Sequence, residues 1–141
     1  YASDTDLQPL PHAEALFASL QNQGIHVALN TGFTRAITDT ILQRLHWHDG
    51  AGPDAVICSD EVPEGRPHPH MINALMKRFG IEGADKVVKV GDTEVDVQEG
   101  RNAGCGLVLA ITTGAYSRGQ LEMAKPDYII NSLHEIPALL V

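Results

Sequence analysis

The sequence predicts an α/β domain, a three-layer sandwich around a mainly parallel, Rossmann-like sheet, and three observations carry that expectation. Short apolar runs recur at 25–29, 55–58, 87–90 and 107–111, with a shorter one at 128–130. Between most of them lie segments whose apolar residues follow helical spacing. Turn-forming residues such as Asn30-Thr31-Gly32 and Gly91-Asp92 close the runs. Strands alternating with helices imply right-handed crossovers, hence parallel strands covered on both faces.

Each element has its own local warrant. Tyr1 to Gln8 is polar and reads as an irregular lead-in, and Asp4-Thr5-Asp6 within it reads as solvated linker because no apolar strand precedes it. Pro9 and Pro11 lead into a helix with Ala13, Leu16, Phe17 and Leu20 on one face, ended by Gly24. Ile25 to Leu29 is a buried strand, and the next helix presents Ile37, Ile41, Leu42 and Leu45. Gly50 to Pro53 breaks the chain before the strand Ala55 to Cys58. The loop from Ser59 to Pro69 holds three prolines, which argue against regular structure in it. A helix over His70 to Phe79 stops near Gly80. The strand Val87 to Val90, the helix Val95 to Ala103, the strands Leu107 to Ile111 and Tyr128 to Ile130, and a last helix from about Leu133 follow.

At 141 residues the chain is expected to form one domain, 1–141, with a real core. Ten basic against 18 acidic residues give a net charge of −8, which argues against nucleic acid or an anionic membrane as partner. No run approaches the roughly 18 to 20 apolar residues needed to span a bilayer. No secretory signal opens the sequence, and Cys58 and Cys105, without metal-ligand spacing, read as reduced core residues of a cytoplasmic protein.

In such a sheet ligands bind beyond the carboxyl ends of the strands, and four polar clusters fall there. Asp92 and Asp96 are four residues apart across a strand-to-helix turn that Thr93 can cap, so both carboxylates can face one point and hold Mg²⁺. Helix capping alone would also explain an Asp and a Thr at that place. Asn30, Thr31 and Gly32 offer an amide, a hydroxyl and backbone N–H groups for phosphate oxygens. Arg66 offers a permanent charge with a planar fork of donors. Thr112-Thr113-Gly114 completes the edge. His46 with His48 and His68 with His70 form two His-x-His pairs, but neither has a Cys or carboxylate at helical metal-ligand spacing, so zinc is not expected. Gly104-Cys105-Gly106 follows a helix and precedes a strand, the reverse of a dinucleotide fingerprint.

Taken in order, these motifs resemble the haloacid dehalogenase (HAD) superfamily of phosphohydrolases, within it the phosphonatase-like branch around phosphonoacetaldehyde hydrolase. Leu29 to Arg35 is similar to that branch's second motif, Gly65-Arg66-Pro67-His68-Pro69 to its third, and Val90 to Asp96 with Glu99 to Gly104 to its fourth. The branch usually has Thr or Ser where this chain has Asn30. The resemblance runs from about Pro9 to Leu140 and implies a HAD-type sheet with Arg66 and Asp96 as catalytic residues. It also implies Asn30, Thr31, Gly32 and Arg66 on phosphate, Asp92 and Asp96 on Mg²⁺, and a small phosphorylated or phosphonate substrate.

The superfamily's first motif, an Asp-x-Asp whose first Asp attacks phosphorus to form an aspartyl-phosphate, has no counterpart in these residues, and the helical cap that follows it is missing too. None of Lys77, Lys86, Lys89 or Lys125 falls where the Schiff-base lysine of phosphonoacetaldehyde hydrolase is expected. The chain therefore reads as the C-terminal core of a larger hydrolase, without phosphatase turnover of its own. The family's first strand lies between the strand ending at Asn30 and the one ending at Val90. Its absence should be compensated by direct pairing of those two, by a homodimer that exchanges a strand, or by an N-terminal piece. Two other readings compete: a non-catalytic domain of the same ancestry that binds a phosphorylated ligand or a partner, and a phospho-receiver domain, for which Ser59-Asp60 is a poor acceptor site.

Overall fold

Parallel pairing joins β1 (Ala28–Thr31) to β2 (Ala55–Cys58) in one sheet, and β3 (Val88–Gly91), β4 (Leu107–Ile111) and β5 (Tyr128–Ile130) in a second sheet of that order. These come from a computed structural model that describes residues 13–47, 52–112 and 116–140. The lead-in with Asp4-Thr5-Asp6, Pro9, Pro11, His48, Gly50, Thr113 and Gly114 lie outside the described residues. Among the described residues six helices accompany the strands: α1 (Ala13–Asn22), α2 (Arg35–Leu45), α3 (His70–Phe79), α4 (Glu94–Ala103), α5 (Arg118–Ala124) and α6 (Ile136–Leu139).

The layering follows from the pleat of β4. Its five residues are all apolar, as befits a strand covered on both faces, and alternate ones enter different cores. Leu109 and Ile111 pack with Leu16 and Leu20 of α1, Ile130 of β5 and Ile136 of α6. Val108 and Ala110 pack on the other side with Ile72 of α3, Val97 of α4 and Leu121 of α5. Fully burying a Leu or Val side chain contributes about 1.5–3 kcal/mol, so these two clusters hold the sandwich together. The expected apolar face of α1 is the observed one: Ala13, Leu16, Phe17 and Leu20 are its buried residues. Cys58 and Cys105 are buried, free thiols, and burial pushes both thiols up.

Several expectations change. The strands fall into two sheets, because β1 and β3, between which the family's first strand is expected, share no ladder. Direct pairing of those strands is therefore not how the gap is closed, and at this level side chains of β1, β3 and α4 make the link instead. β1 begins at Ala28 rather than Ile25, since Val27 turns its N–H to Asp54 Oδ2 at 2.7 Å and the ladder starts only after it. The strand then runs on through Asn30 to Thr31. In the proline-rich loop Ser59–Glu61 forms a 3₁₀ turn, held where Cys58 N donates to Glu61 Oε1 at 2.8 Å. A 3₁₀ turn, Leu133–Glu135, precedes the short α6 where one helix is predicted. The predicted apolar face of α2 is only partly covered, Ile37 being 41% exposed and Thr38 the helix's buried residue. Helix α5 has no counterpart in the predicted elements; a capping box between Ser117 and Gln120 starts it and Leu121 anchors it. Its remaining residues are too polar to show a helical period.

Candidate active site

The turn after β3 is built around one side chain. Thr93 is the N-cap of α4, in extended conformation, and its Oγ1 accepts from Asp96 N at 3.2 Å. Asp96 answers with Oδ2, which accepts from Asp92 N at 3.1 Å, Thr93 N at 3.2 Å and the Thr93 hydroxyl at 3.0 Å. A Cβ on Gly91 would collide with the Cβ of Asp96, so glycine there lets the carboxylate fold back over the strand end. As the spacing predicts, Asp92 lies on the loop and Asp96 in the first helical turn.

The other oxygen of Asp96 belongs to a charge network. Arg66 Nη1 lies 2.6 Å from Asp96 Oδ1 and Lys89 Nζ 3.6 Å from it. Lys89 also lies 3.0 Å from Glu99 Oε1 and donates to Asn30 Oδ1 at 2.9 Å, while Asn30 Nδ2 donates to Glu99 Oε2 at 2.7 Å. Burial works against charge on Asp96, but Lys89 and Arg66 outweigh it and hold the carboxyl below the usual aspartate range. Asp92 is shifted the opposite way: burial first, then the neighbouring charge of Asp96, pushes its carboxyl up. Three carboxylates thus share two cationic side chains, and Asp92 is the one whose charge is least compensated.

Of the remaining predicted residues, Gly32 meets Arg66. A Cβ on Gly32 would lie 3.1 Å from Arg66 Nη2, so the guanidinium rests against the turn after β1 while its other nitrogen holds Asp96. The Arg66–Pro67 peptide is cis, and Asn102 of α4 donates to Pro67 O at 2.8 Å. On the β1 side, Thr31 Oγ1 accepts from Phe33 N at 3.1 Å, which leaves its own proton for another acceptor. Ser59 donates to Gly32 O at 2.8 Å, and Arg35 ties the start of α2 to Val56 O and Glu61. Thr112 turns instead to Asn131 Oδ1, at 3.0 Å.

Two members of this site have no role assigned to them in the sequence reading. Lys89 is a lysine inside an apolar strand, and Glu99, which opens the second part of the stretch resembling the fourth motif, lies one helical turn after Asp96 on the same helix face. Asn30 is the residue whose position most departs from expectation, since both ends of its amide are engaged by that buried pair. Asp92 and Asp96 fit a hard divalent cation: their donors are oxygens, and a cation would offset the burial and the neighbouring Asp96 charge that together raise Asp92.

The family model for a haloacid dehalogenase-like hydrolase matches residues 1–104. Phosphonoacetaldehyde hydrolase of Latilactobacillus sakei subsp. sakei is 34% identical over 143 residues, covering 86% of this chain and 54% of that protein. The Bacillus anthracis enzyme of the same name is 32% identical over 121 residues, covering 84% and 46%. The chain thus spans about half the length of these curated relatives. Among solved structures, a phosphonoacetaldehyde hydrolase like protein from Oleispira antarctica superposes with a TM-score of 0.79 at 21% identity, over 93% of this chain and 55% of that one. A hydrolase from Pseudomonas syringae gives 0.80 at 22%, over 92% and 61%. At those identities the superpositions show a shared fold.

Proposed function

Because the chain belongs to the haloacid dehalogenase-like hydrolase family, we propose that the whole protein is a cytoplasmic, Mg²⁺-dependent hydrolase of a small phosphorylated or phosphonate metabolite, acting through an aspartyl-phosphate. One observation carries this reading: Arg66 reaches the turn after β1 and Asp96 at once, so groups at the carboxyl ends of strands from both sheets meet at one guanidinium. Asp92, supported by Asp96, would hold the Mg²⁺, which when bound supplies a Lewis acid against the phosphoryl charge. The Thr31 hydroxyl and the backbone N–H groups around Gly32 take phosphate oxygens. Arg66 presents its fork to the charge that spreads over those oxygens as the bond to phosphorus breaks. Asn30 acts one step back, tying β1 to Lys89 and Glu99. The attacking carboxylate matches no motif in these 141 residues and is assigned to another part of the whole protein.

Calorimetric titration with inorganic phosphate, with and without Mg²⁺, tests this. Phosphate should bind when Mg²⁺ is present, Asp92→Asn should remove the Mg²⁺ dependence, and Arg66→Ala should weaken phosphate by about tenfold or more. Equal phosphate binding in all three proteins, indifferent to Mg²⁺, would refute the site. The chain alone should not turn over p-nitrophenyl phosphate; Mg²⁺-dependent turnover lost in Asp92→Ala would show that the nucleophile has been misassigned.

A further inference from the structure

The loop that carries Arg66 holds a second cluster of ligand-type side chains. The expectation that neither His-x-His pair has a carboxylate at metal-ligand spacing does not hold, because Glu64 lies four residues before His68, and the loop brings it to both His68 and His70. His68 Nε2 lies 3.0 Å from Glu64 Oε2 and His70 Nε2 lies 3.9 Å from Glu64 Oε1. One ligand atom from each of the three side chains lies within 4.8 Å of the other two. The imidazoles stack, with ring centroids 5.9 Å apart and planes 17° from parallel, so their Nε2 edges both turn to the carboxylate. Ligand atoms around a tetrahedral zinc sit about 3.3 Å apart, given bond lengths of about 2.0–2.1 Å, so small rotations of these side chains would close the site.

We propose that Glu64, His68 and His70 form a site for a borderline transition-metal cation, Zn²⁺ foremost, separate from the Asp92–Asp96 site. The donor set decides the class. Two neutral imidazoles and one carboxylate suit Zn²⁺, while Mg²⁺ strongly prefers oxygen and keeps its waters. The scaffold between the ligands is short and stiff. His68 N donates to Gly65 O at 3.0 Å, Pro67 and Pro69 flank His68, Asn102 holds Pro67 O, and His70 opens α3. Little chain entropy is therefore lost on binding. With three protein ligands, the remaining positions are left to water or an anion. The ion ties Glu64, on one side of Arg66, to the first turn of α3 on the other, and so clamps the turn that presents the guanidinium.

Zn²⁺ binding to this chain, measured by competition with a chromophoric chelator while Mg²⁺ is present in large excess, decides the matter. One Zn²⁺ per chain should bind, Mg²⁺ should leave it in place, and His68→Ala/His70→Ala should weaken it by at least about tenfold. Glu64→Gln should weaken it less, and His46→Ala should leave it unchanged. Thermal unfolding should shift upward with Zn²⁺ in the unaltered chain and not in the double variant. Because His68 and Glu64 are exposed and His70 is partly so, circular dichroism should find each variant folded, and Glu64→Gln keeps the test open if the double variant is not. No Zn²⁺ uptake, uptake that the double variant keeps, or displacement by Mg²⁺ would each overturn the proposal, without bearing on phosphate binding at Arg66.

Discussion

Lys89 Nζ stands 3.0 Å from Glu99 Oε1 in an ion pair whose side chains are 8% and 0% exposed. Asn30 completes it from the neighbouring sheet, accepting from the lysine and donating to the glutamate. Taking two charges out of water costs several kcal/mol per ion, and the pair offsets this with the Lys89 charge beside Glu99 Oε1, which accepts no hydrogen bond from the described residues, and with the Asn30 amide on Glu99 Oε2. It fastens β1 to β3 where no backbone ladder joins them.

Removing one partner of this pair should be far worse than removing both. Lys89→Met leaves Glu99 buried without its cation and is expected to cost about 3–5 kcal/mol. Lys89→Met combined with Glu99→Leu should recover much of that loss. Urea unfolding of the two variants checks the order; a double variant as unstable as the single one would mean the pair does more than cancel its own burial.

Arg66→Ala should lower stability by about 1–3 kcal/mol, because Asp96 loses a charge-assisted hydrogen bond but keeps Lys89 and its three capping donors. The loss should shrink as the pH falls through the depressed pKa of Asp96, where the carboxylate is protonated in either protein. Denaturation midpoints measured down the acid range test both parts.

Asp92 and Asp96 impose opposite pH dependences. Asp96, held below the usual range, contributes stability above the unfolded aspartate pKa that is lost as pH falls through its folded value. Asp92, pushed up, favours the folded state while protonated, and that contribution is lost as pH rises through its folded value. Without Mg²⁺, Asp92→Asn should therefore stabilise the chain at neutral pH. The gain should disappear in acid, and Mg²⁺ should stabilise only the unaltered protein. Thermal melts at neutral and acidic pH, with and without Mg²⁺, read all three outcomes.

Gly91→Ala should damage the site without replacing a charged residue. The new Cβ meets Asp96, so the carboxylate must leave the N-terminus of α4 and its three donors. Loss of such a cap is expected to cost about 0.5–2 kcal/mol. Mg²⁺ affinity, read by calorimetric titration, should fall with it, whereas Thr93→Ala, which leaves room for Asp96, should cost stability with a smaller effect on Mg²⁺.

What the sequence determined by itself is what short-range rules govern. The buried face of α1, the bounds of α3 and the placing of Asp92 and Asp96 around a Thr93 cap all follow from neighbours within a few residues. The order of strands and helices follows from the same patterns. The tertiary structure alone decided which distant groups meet: Arg66 with Asp96 across 30 positions, and Asn30 with Glu99 across 69. It also decided that Asn30 turns to a buried ion pair and that β1 and β3 stay in separate sheets. Helix α5 was hidden for a related reason, since its stability rests on one buried leucine and a cap rather than on a repeating apolar face. Local hydrogen bonding can be inferred from adjacent residues, but the partner of a buried charge is chosen by the fold that removes it from water.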